Sequence, residues 1–384
     1  MNVFKKYHKL FFISTNDVWG GSEQLWHQSA LQFLKEGYKV SLAVKYYNEK
    51  VDQLKSELSH LINMNNRFRI PSLIKRVANK FCSSFDRQDR LKIAIETFQP
   101  ELVIISQGNS ISSVEMMEFC IEKEIRFVII SQIVTDLSWF WLDDVSRLRL
   151  VNAFEKAEKC YFVSQNNLKL HNFLLTYEAL NSELIYNPFK RDGSSAKFDY
   201  PINRFQVAIV GRLECYHKGL DILIRIITEK KWQDREVNFN FYGSGPHAQM
   251  IENLFKKLGI KNAFLKGFSS DIIDLWKNNH ILLQPSRMEG QSLALLEATN
   301  LGRAAIATNV GGVAEIITDN VTGFIAETAT IRDLDDAMER AWERRGEWES
   351  IGVAAYDKFR EVYPADPVSF FNTKIVSLLD APTS

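Results

Sequence analysis

The chain has 384 residues, 46% of them hydrophobic, with 47 basic and 47 acidic side chains. That length holds two domains with cores of their own, and the zero net charge argues against a dedicated nucleic-acid binder, in which a basic excess is expected. The four cysteines, Cys82, Cys120, Cys160 and Cys215, lack metal-type pair spacing and read as reduced, packed thiols.

The run from Lys5 to Ser14 has the basic-then-apolar look of a signal peptide. Its apolar part is short and no small-residue cleavage site follows, so it reads as a first strand. No segment reaches the ~20 apolar residues needed to span a bilayer. Strands are expected at Leu10–Ser14, Val40–Val44, Leu102–Ser106, Phe127–Ser131, Cys160–Val163 and Leu184–Tyr186. A second series is expected at Gln206–Val210, Asn238–Tyr242, Ala263–Lys266, Ile281–Gln284 and Ala304–Ala307. Their apolar faces are nearly continuous, as in parallel strands covered on both sides. Helices are expected between them, at Glu23–Glu36, Gly219–Lys230, His247–Leu258 and Ser292–Leu301. This alternation predicts doubly wound α/β domains with parallel sheets. The polar, turn-rich stretch Asn187–Pro201 separates the two series and reads as the domain boundary.

Several loops after strands can carry chemistry. Gly20 and Gly21 precede a helix, where backbone amides can approach a phosphate closely; an ordinary tight turn is the plain alternative. In the loop Gly211–Gly219, Arg212 and Lys218 could neutralise a diphosphate, Arg by a forked contact and Lys as a point charge. Most such side chains are solvated surface charges. Gly243-Ser-Gly245-Pro246 follows a strand and is weak by itself. The most specific stretch is Pro285-Ser-Arg-Met-Glu289-Gly290-Gln291-Ser292-Leu293, running on to Glu297. It places one carboxylate in a loop and a second inside an apolar helix, where an unpartnered acid is costly. Ser292 is a helix cap candidate, and the amides of Gln291, Ser292 and Leu293 would face a ligand. The plain alternative pairs Glu297 with a buried cation. Glu315, after Gly311 and Gly312, reads as a structural acid in a first helical turn. The seven histidines do not cluster as metal ligands.

Taken in order, these motifs resemble the retaining glycosyltransferases of family 4. The resemblance runs through Gly20-Gly21-Ser-Glu23, Asn187-Pro188, Gly211-Arg212, Lys218-Gly219, Gly243-Ser-Gly-Pro246, Glu289-Gly290, Glu297 and Gly311-Gly312. It implies a GT-B fold: two Rossmann-like doubly wound parallel-sheet domains facing across a cleft. The domains would span 1–195 and 205–355, with C-terminal helices at 356–384 packing back on the first. It implies a UDP- or GDP-linked sugar as donor substrate, with no cofactor and no metal. Arg212 and Lys218 would hold the diphosphate, Glu289 the donor sugar and Glu297 the ribose. Gly20, Gly21, Gly211, Gly243, Gly290, Gln291, Ser292 and Leu293 would complete the donor site. The acceptor would be a glycan or a lipid-linked sugar in cell-surface polysaccharide or glycoconjugate synthesis, and the location cytoplasmic. A non-catalytic scaffold subunit and a sugar-nucleotide epimerase are the alternatives.

One departure concerns the strand where the family often carries a histidine. Here Gln132 stands about there, with Asp136 beyond it; both are candidates for positioning sugar or acceptor. An amide can orient a hydroxyl but cannot accept its proton at neutral pH. Residues 61–85 carry five basic residues among apolar ones, a pattern suited to peripheral contact with anionic lipid at the inner membrane face. A packed helix with a solvated basic face is the alternative. Trp139-Phe140-Trp141-Leu142 is a second apolar cluster; such aromatics stack on sugars in some sites and are core in most.

Overall fold

The computed structural model describes residues 8–64, 85–109, 111–189 and 202–381. Near-continuous apolar runs such as Leu10-Phe-Phe-Ile13 and Leu102-Val-Ile-Ile105 become central strands, buried on both faces. The first sheet contains β1 (Lys9–Ser14), β2 (Lys39–Val44), β3 (His60–Asn63), β4 (Leu102–Asn109), β5 (Phe127–Ile133), β6 (Lys159–Phe162) and β7 (Ser182–Leu184). Their order is β3-β2-β1-β4-β5-β6-β7, and every pairing is parallel. The second sheet contains β8 (Phe205–Val210), β9 (Val237–Tyr242), β10 (Ala263–Gly267), β11 (Ile281–Gln284), β12 (Ala304–Thr308) and β13 (Phe324–Ala326). Its order is β10-β9-β8-β11-β12-β13, again parallel.

In both sheets the chain builds outward on one side, then returns and builds on the other. The reversals fall between β1 and β4 and between β8 and β11. Open α/β sheets bind ligands beyond the carboxyl ends of the strands at such a reversal.

The chain divides into two compact units. The first comprises Met1–Val163, Asn167–Pro188 and Asp366–Ser384; the second comprises Phe189–Ala365 with Ser164–Asn166. The helix Trp348–Val362 runs through position 356, where the sequence placed a boundary, and the second unit continues to Ala365. The following helix, Pro367–Asp380, is started by its proline, with Asp366 accepting the amides of Val368 and Ser369. Its Phe371, Ile375 and Leu379 recur at helical spacing and join the core of Leu10, Phe12 and Trp26. Each such side chain contributes about 1.5–3 kcal/mol on burial. Lys374 pairs with Glu183 and Arg126 donates to the Leu378 carbonyl, which fixes the same helix from its polar side.

Other differences from the sequence expectations have local causes. The edge strands β3 and β13 are only four and three residues long, too short to show a period. Ile185 is fully buried and drew the expected strand at Leu184–Tyr186 two residues too far; the paired residues are Ser182–Leu184. The expected helix Gly219–Lys230 is Leu220–Ile227 followed by a separate turn at Lys230–Asp234. Of the basic stretch 61–85, Leu61–Asn63 lies in β3 and Phe85 opens the helix Phe85–Phe98, while 65–84 fall outside the described residues. Much of Asn187–Pro201 does so too. Trp139, Phe140 and Trp141 form a 3-10 helix, Asp136–Trp141, and are not core: they are 51%, 78% and 77% exposed.

Candidate functional site

The second unit brings two charged loops together at its reversal. One follows β8 and runs through Gly211–Gly219; the other follows β11 and runs through Pro285–Gly290. In the first loop, the Glu214 carboxylate caps the short turn Cys215–Lys218 by accepting the amides of Tyr216 and His217 at 2.7 and 2.8 Å. Burial opposes its ionisation, yet those amides and the nearby His217 and Arg212 outweigh it and hold the carboxyl below its ordinary range. Gly219 ends the turn at φ +60°, and a Cβ there would collide with the Pro285 carbonyl. Only glycine lets the two loops meet this closely.

Several bonds lock the loops. Arg287 grips Asp221 with both guanidinium nitrogens at 2.7 and 2.8 Å and donates to the Cys215 carbonyl at 3.0 Å. The Arg287 amide donates to the His217 carbonyl at 2.8 Å. The charge-assisted hydrogen bond from Arg287 holds the Asp221 carboxyl below its ordinary range. Between these ties, Lys218 Nζ lies 2.6 Å from Glu289 Oε1, and Ser286 Oγ donates to the same oxygen at 2.7 Å. Glu289 is buried, while Lys218 keeps about a quarter of its side chain exposed. Arg212 is exposed and forms no ion pair among the described residues. Gly211, Arg212, Lys218, Gln284, Pro285 and Ser286 line one narrow cavity.

The remaining expected donor residues of this unit are placed around that pair. Gly290 accepts the Gly312 amide at 2.8 Å, so the loop after β12 braces the Glu289 loop from behind. Ser292 caps the helix Leu293–Asn300, accepting the Leu295 amide and donating to Gln284 at the end of β11. Gln291 is buried and Leu293 half-buried at the start of that helix. Glu297 is half-buried within it. Gly243 packs against Gly211: a Cβ at 243 would collide with the Gly211 carbonyl. Its glycine is therefore explained by loop packing.

The first unit has its own polar cluster at its reversal. Glu23, 1% exposed, accepts Ser14 Oγ at 2.6 Å and Trp26 Nε1 at 2.8 Å, and also the Asn16 amide. Burial pushes its carboxyl above the ordinary range, against the pull of Ser14, Asn16, Trp26 and Ser22. Asn16 lies against Gly108, where any Cβ would collide with its amide oxygen. Gly20 has ordinary φ and open space around a notional Cβ, so no neighbour among the described residues demands glycine there. Gln132, near the end of β5, is buried and forms a reciprocal amide pair with Asn187, Nε2 to Oδ1 at 3.1 Å and Nδ2 to Oε1 at 2.8 Å. Asp136 is exposed at the start of the 3-10 helix.

Sequence reasoning missed Asp221, Arg287 and Ser286 as supports of the Lys218–Glu289 pair. Arg287 was visible inside the motif, but nothing in its spacing names Asp221 as its partner. Glu23 was seen as part of the Gly20-Gly21 motif, without its buried, donor-rich setting.

Known proteins resemble this chain in sequence over its second half and in fold over nearly all of it. Residues 191–358 match the family model "Glycosyl transferases group 1". An uncharacterized glycosyltransferase of Methanocaldococcus jannaschii is 31% identical over 174 residues, 45% of this chain and 44% of that protein. The poly(ribitol-phosphate) alpha-N-acetylglucosaminyltransferase of Staphylococcus aureus is 26% identical over 196 residues, 48% of this chain and 39% of that protein. The match thus spans less than half the length of these curated relatives. The crystal structure of Anabaena HepE in complex with UDP superposes with a TM-score of 0.73 at 17% identity, covering 97% of this chain and 99% of that one. Residues 191–358 therefore match the glycosyl transferases group 1 family, and the chain as a whole has the GT-B fold.

Proposed function

We propose that this protein is a retaining glycosyltransferase that moves a sugar from a nucleoside-diphosphate sugar to a glycan or lipid-linked acceptor. The observation that carries the reading is the pair of cations Arg212 and Lys218 lining one cavity at the reversal of the second sheet, with Glu289 held against Lys218. Phosphate charge is favoured there by both side chains. The glycine at position 20, unexplained by packing, supports a close ligand approach to that loop.

In the reaction, the bond between the sugar anomeric carbon and the donor phosphate oxygen breaks, and its electron pair stays on the leaving diphosphate. Arg212 and Lys218 stabilise that growing charge, the kind of term worth about 3 kcal/mol per donor. The acceptor hydroxyl oxygen bonds to the anomeric carbon on the same face, and its proton passes to the departing phosphate oxygen. Glu289 accepts a hydroxyl of the donor sugar, and Glu297 those of the ribose. HepE was crystallised with UDP, which favours UDP as the nucleotide tested first. The role belongs in cell-surface glycan synthesis on the cytoplasmic side of the membrane. No helix among the described residues is long and apolar enough to cross a bilayer.

A second reading, a non-catalytic sugar-nucleotide-binding subunit, is favoured by Gln132. Its amide is already paired with Asn187 and offers no proton acceptor. The deciding experiment incubates the full chain with UDP-, GDP- and ADP-sugars and a panel of glycan and lipid-linked acceptors. Transfer with the product's anomeric configuration equal to the donor's, read by proton NMR, supports the enzyme. Donor binding without release of nucleotide across the panel supports the scaffold.

A further inference from the structure

The 3-10 helix Asp136–Trp141 follows directly from the carboxyl end of β5, the edge at which parallel sheets present ligand-binding groups. It displays Trp139, Phe140 and Trp141 at 51%, 78% and 77% exposure. Phe173, from the helix Gln165–Leu175, is 67% exposed and meets Trp139 edge to face, with ring centroids 6.1 Å apart. Large aromatic rings are normally buried because each hides much apolar area. Clustered exposure of this kind marks a binding surface. Thr135 caps the short helix by accepting the Leu137 amide, so the rings stand on ordered backbone.

Charge decides which occupant fits. Around the rings stand three exposed acids, Asp136, Asp143 and Asp144, against two cations. These are Arg147, which lies 3.7 Å from Asp144, and Lys169, one turn before Phe173, which leaves a net negative charge. A surface built to lie on anionic lipid needs the opposite sign. Carboxylates beside aromatic rings suit a polyhydroxylated ligand. The C–H face of a pyranose meets the electron-rich ring face, while the carboxylates accept its hydroxyls. We infer that Trp139, Phe140, Trp141 and Phe173 form a platform for an uncharged or amino-sugar oligosaccharide, with Asp136 as a hydroxyl acceptor. Its role as the acceptor's seat rests on the transferase reading; its affinity for carbohydrate does not.

The test uses the full chain with maltopentaose, chitopentaose and a mannopentaose as probes. Binding is followed by tryptophan fluorescence and saturation-transfer NMR. Vesicles of phosphatidylcholine with and without phosphatidylglycerol, and the oligomeric state by light scattering, are measured alongside. At least one oligosaccharide binds; Trp141→Ala weakens it about tenfold, and Trp141→Phe restores most of the affinity. The exposed position of Trp141 leaves thermal stability and UDP affinity unchanged in both variants. Failure of all three glycans to bind, or equal binding by Trp141→Ala, overturns the platform. So does capture by anionic vesicles that Trp141→Ala abolishes, or a dimer that the same variant dissociates. Glycan binding in a protein that binds no nucleotide would instead remove the transferase reading and leave the platform standing.

Discussion

The two sheets reverse their strand order at equivalent places and arm those places differently. Beyond β8 and β11 stand exposed Arg212 and the Lys218–Glu289 pair, the latter flanked by the Asp221–Arg287 grip. Beyond β1 and β4 stand hydroxyls and amides, Ser14, Thr15, Asn16, Ser112 and Ser113, around one buried acid, Glu23. Topology fixes where a ligand can sit; the charge at that place decides which ligand it is. The second unit offers paired, ionised groups suited to phosphate. The first offers buried dipoles and exposed rings, suited to neutral sugar.

The largest expected effect separates the units by acid. His171 is buried against Phe154 and Phe162, and burial pushes its imidazole down to about 3. The unfolded chain takes up a proton near the ordinary value of 6.5, while the folded chain does not until about 3. Stability is therefore full above 6.5 and falls as pH drops toward 3, by up to roughly 5 kcal/mol. Denaturant titrations of wild type and His171→Leu across that window should show the wild-type slope flattened in the variant; parallel curves would break the contrast. Asp221 and Glu214, held below their ordinary values, keep their ionised contacts further into acid.

Next in size, Glu289→Ala leaves Lys218 without its partner and removes the proposed sugar contact. kcat/KM for sugar transfer should fall about a hundredfold with the fold intact by circular dichroism. Gln132→Leu removes both hydrogen bonds of the buried Gln132–Asn187 amide pair and should cost about 2 kcal/mol of stability. Adding Asn187→Leu should recover part of that loss, because a buried pair removed whole costs less than one half removed. The smallest effect is expected for Asp221→Asn. Both members of the Asp221–Arg287 grip are about a third exposed, so stability should change by about 1 kcal/mol or less. Donor KM should nevertheless rise about fivefold, since the grip sets the spacing of Lys218 and Glu289. A large stability loss with unchanged KM would recast the grip as scaffolding alone.

Much of this was legible from residues in order. Periodic apolar runs located the central strands, and the Lys218, Glu289 and Glu297 spacing located the charged loops. Partners at long range were not legible. Arg287 and Asp221 are far apart in sequence, as are Gln132 and Asn187, and only the β-α windings bring each pair together. Trp139–Trp141 misled because an apolar run reads as core whenever the side that faces water is unknown. Edge strands β3 and β13 escaped for a different reason, since four and three residues are too few to show a period.

The central claim is that the loops after β8 and β11 hold a nucleoside diphosphate through Arg212 and Lys218. The most direct test is calorimetric titration of UDP, GDP and ADP into the wild type and into an Arg212→Ala, Lys218→Ala double variant. The account predicts that one diphosphate binds the wild type and loses at least tenfold in affinity in the double variant, with stability preserved. Equal affinity in both proteins, or no binding of any of the three, would contradict it.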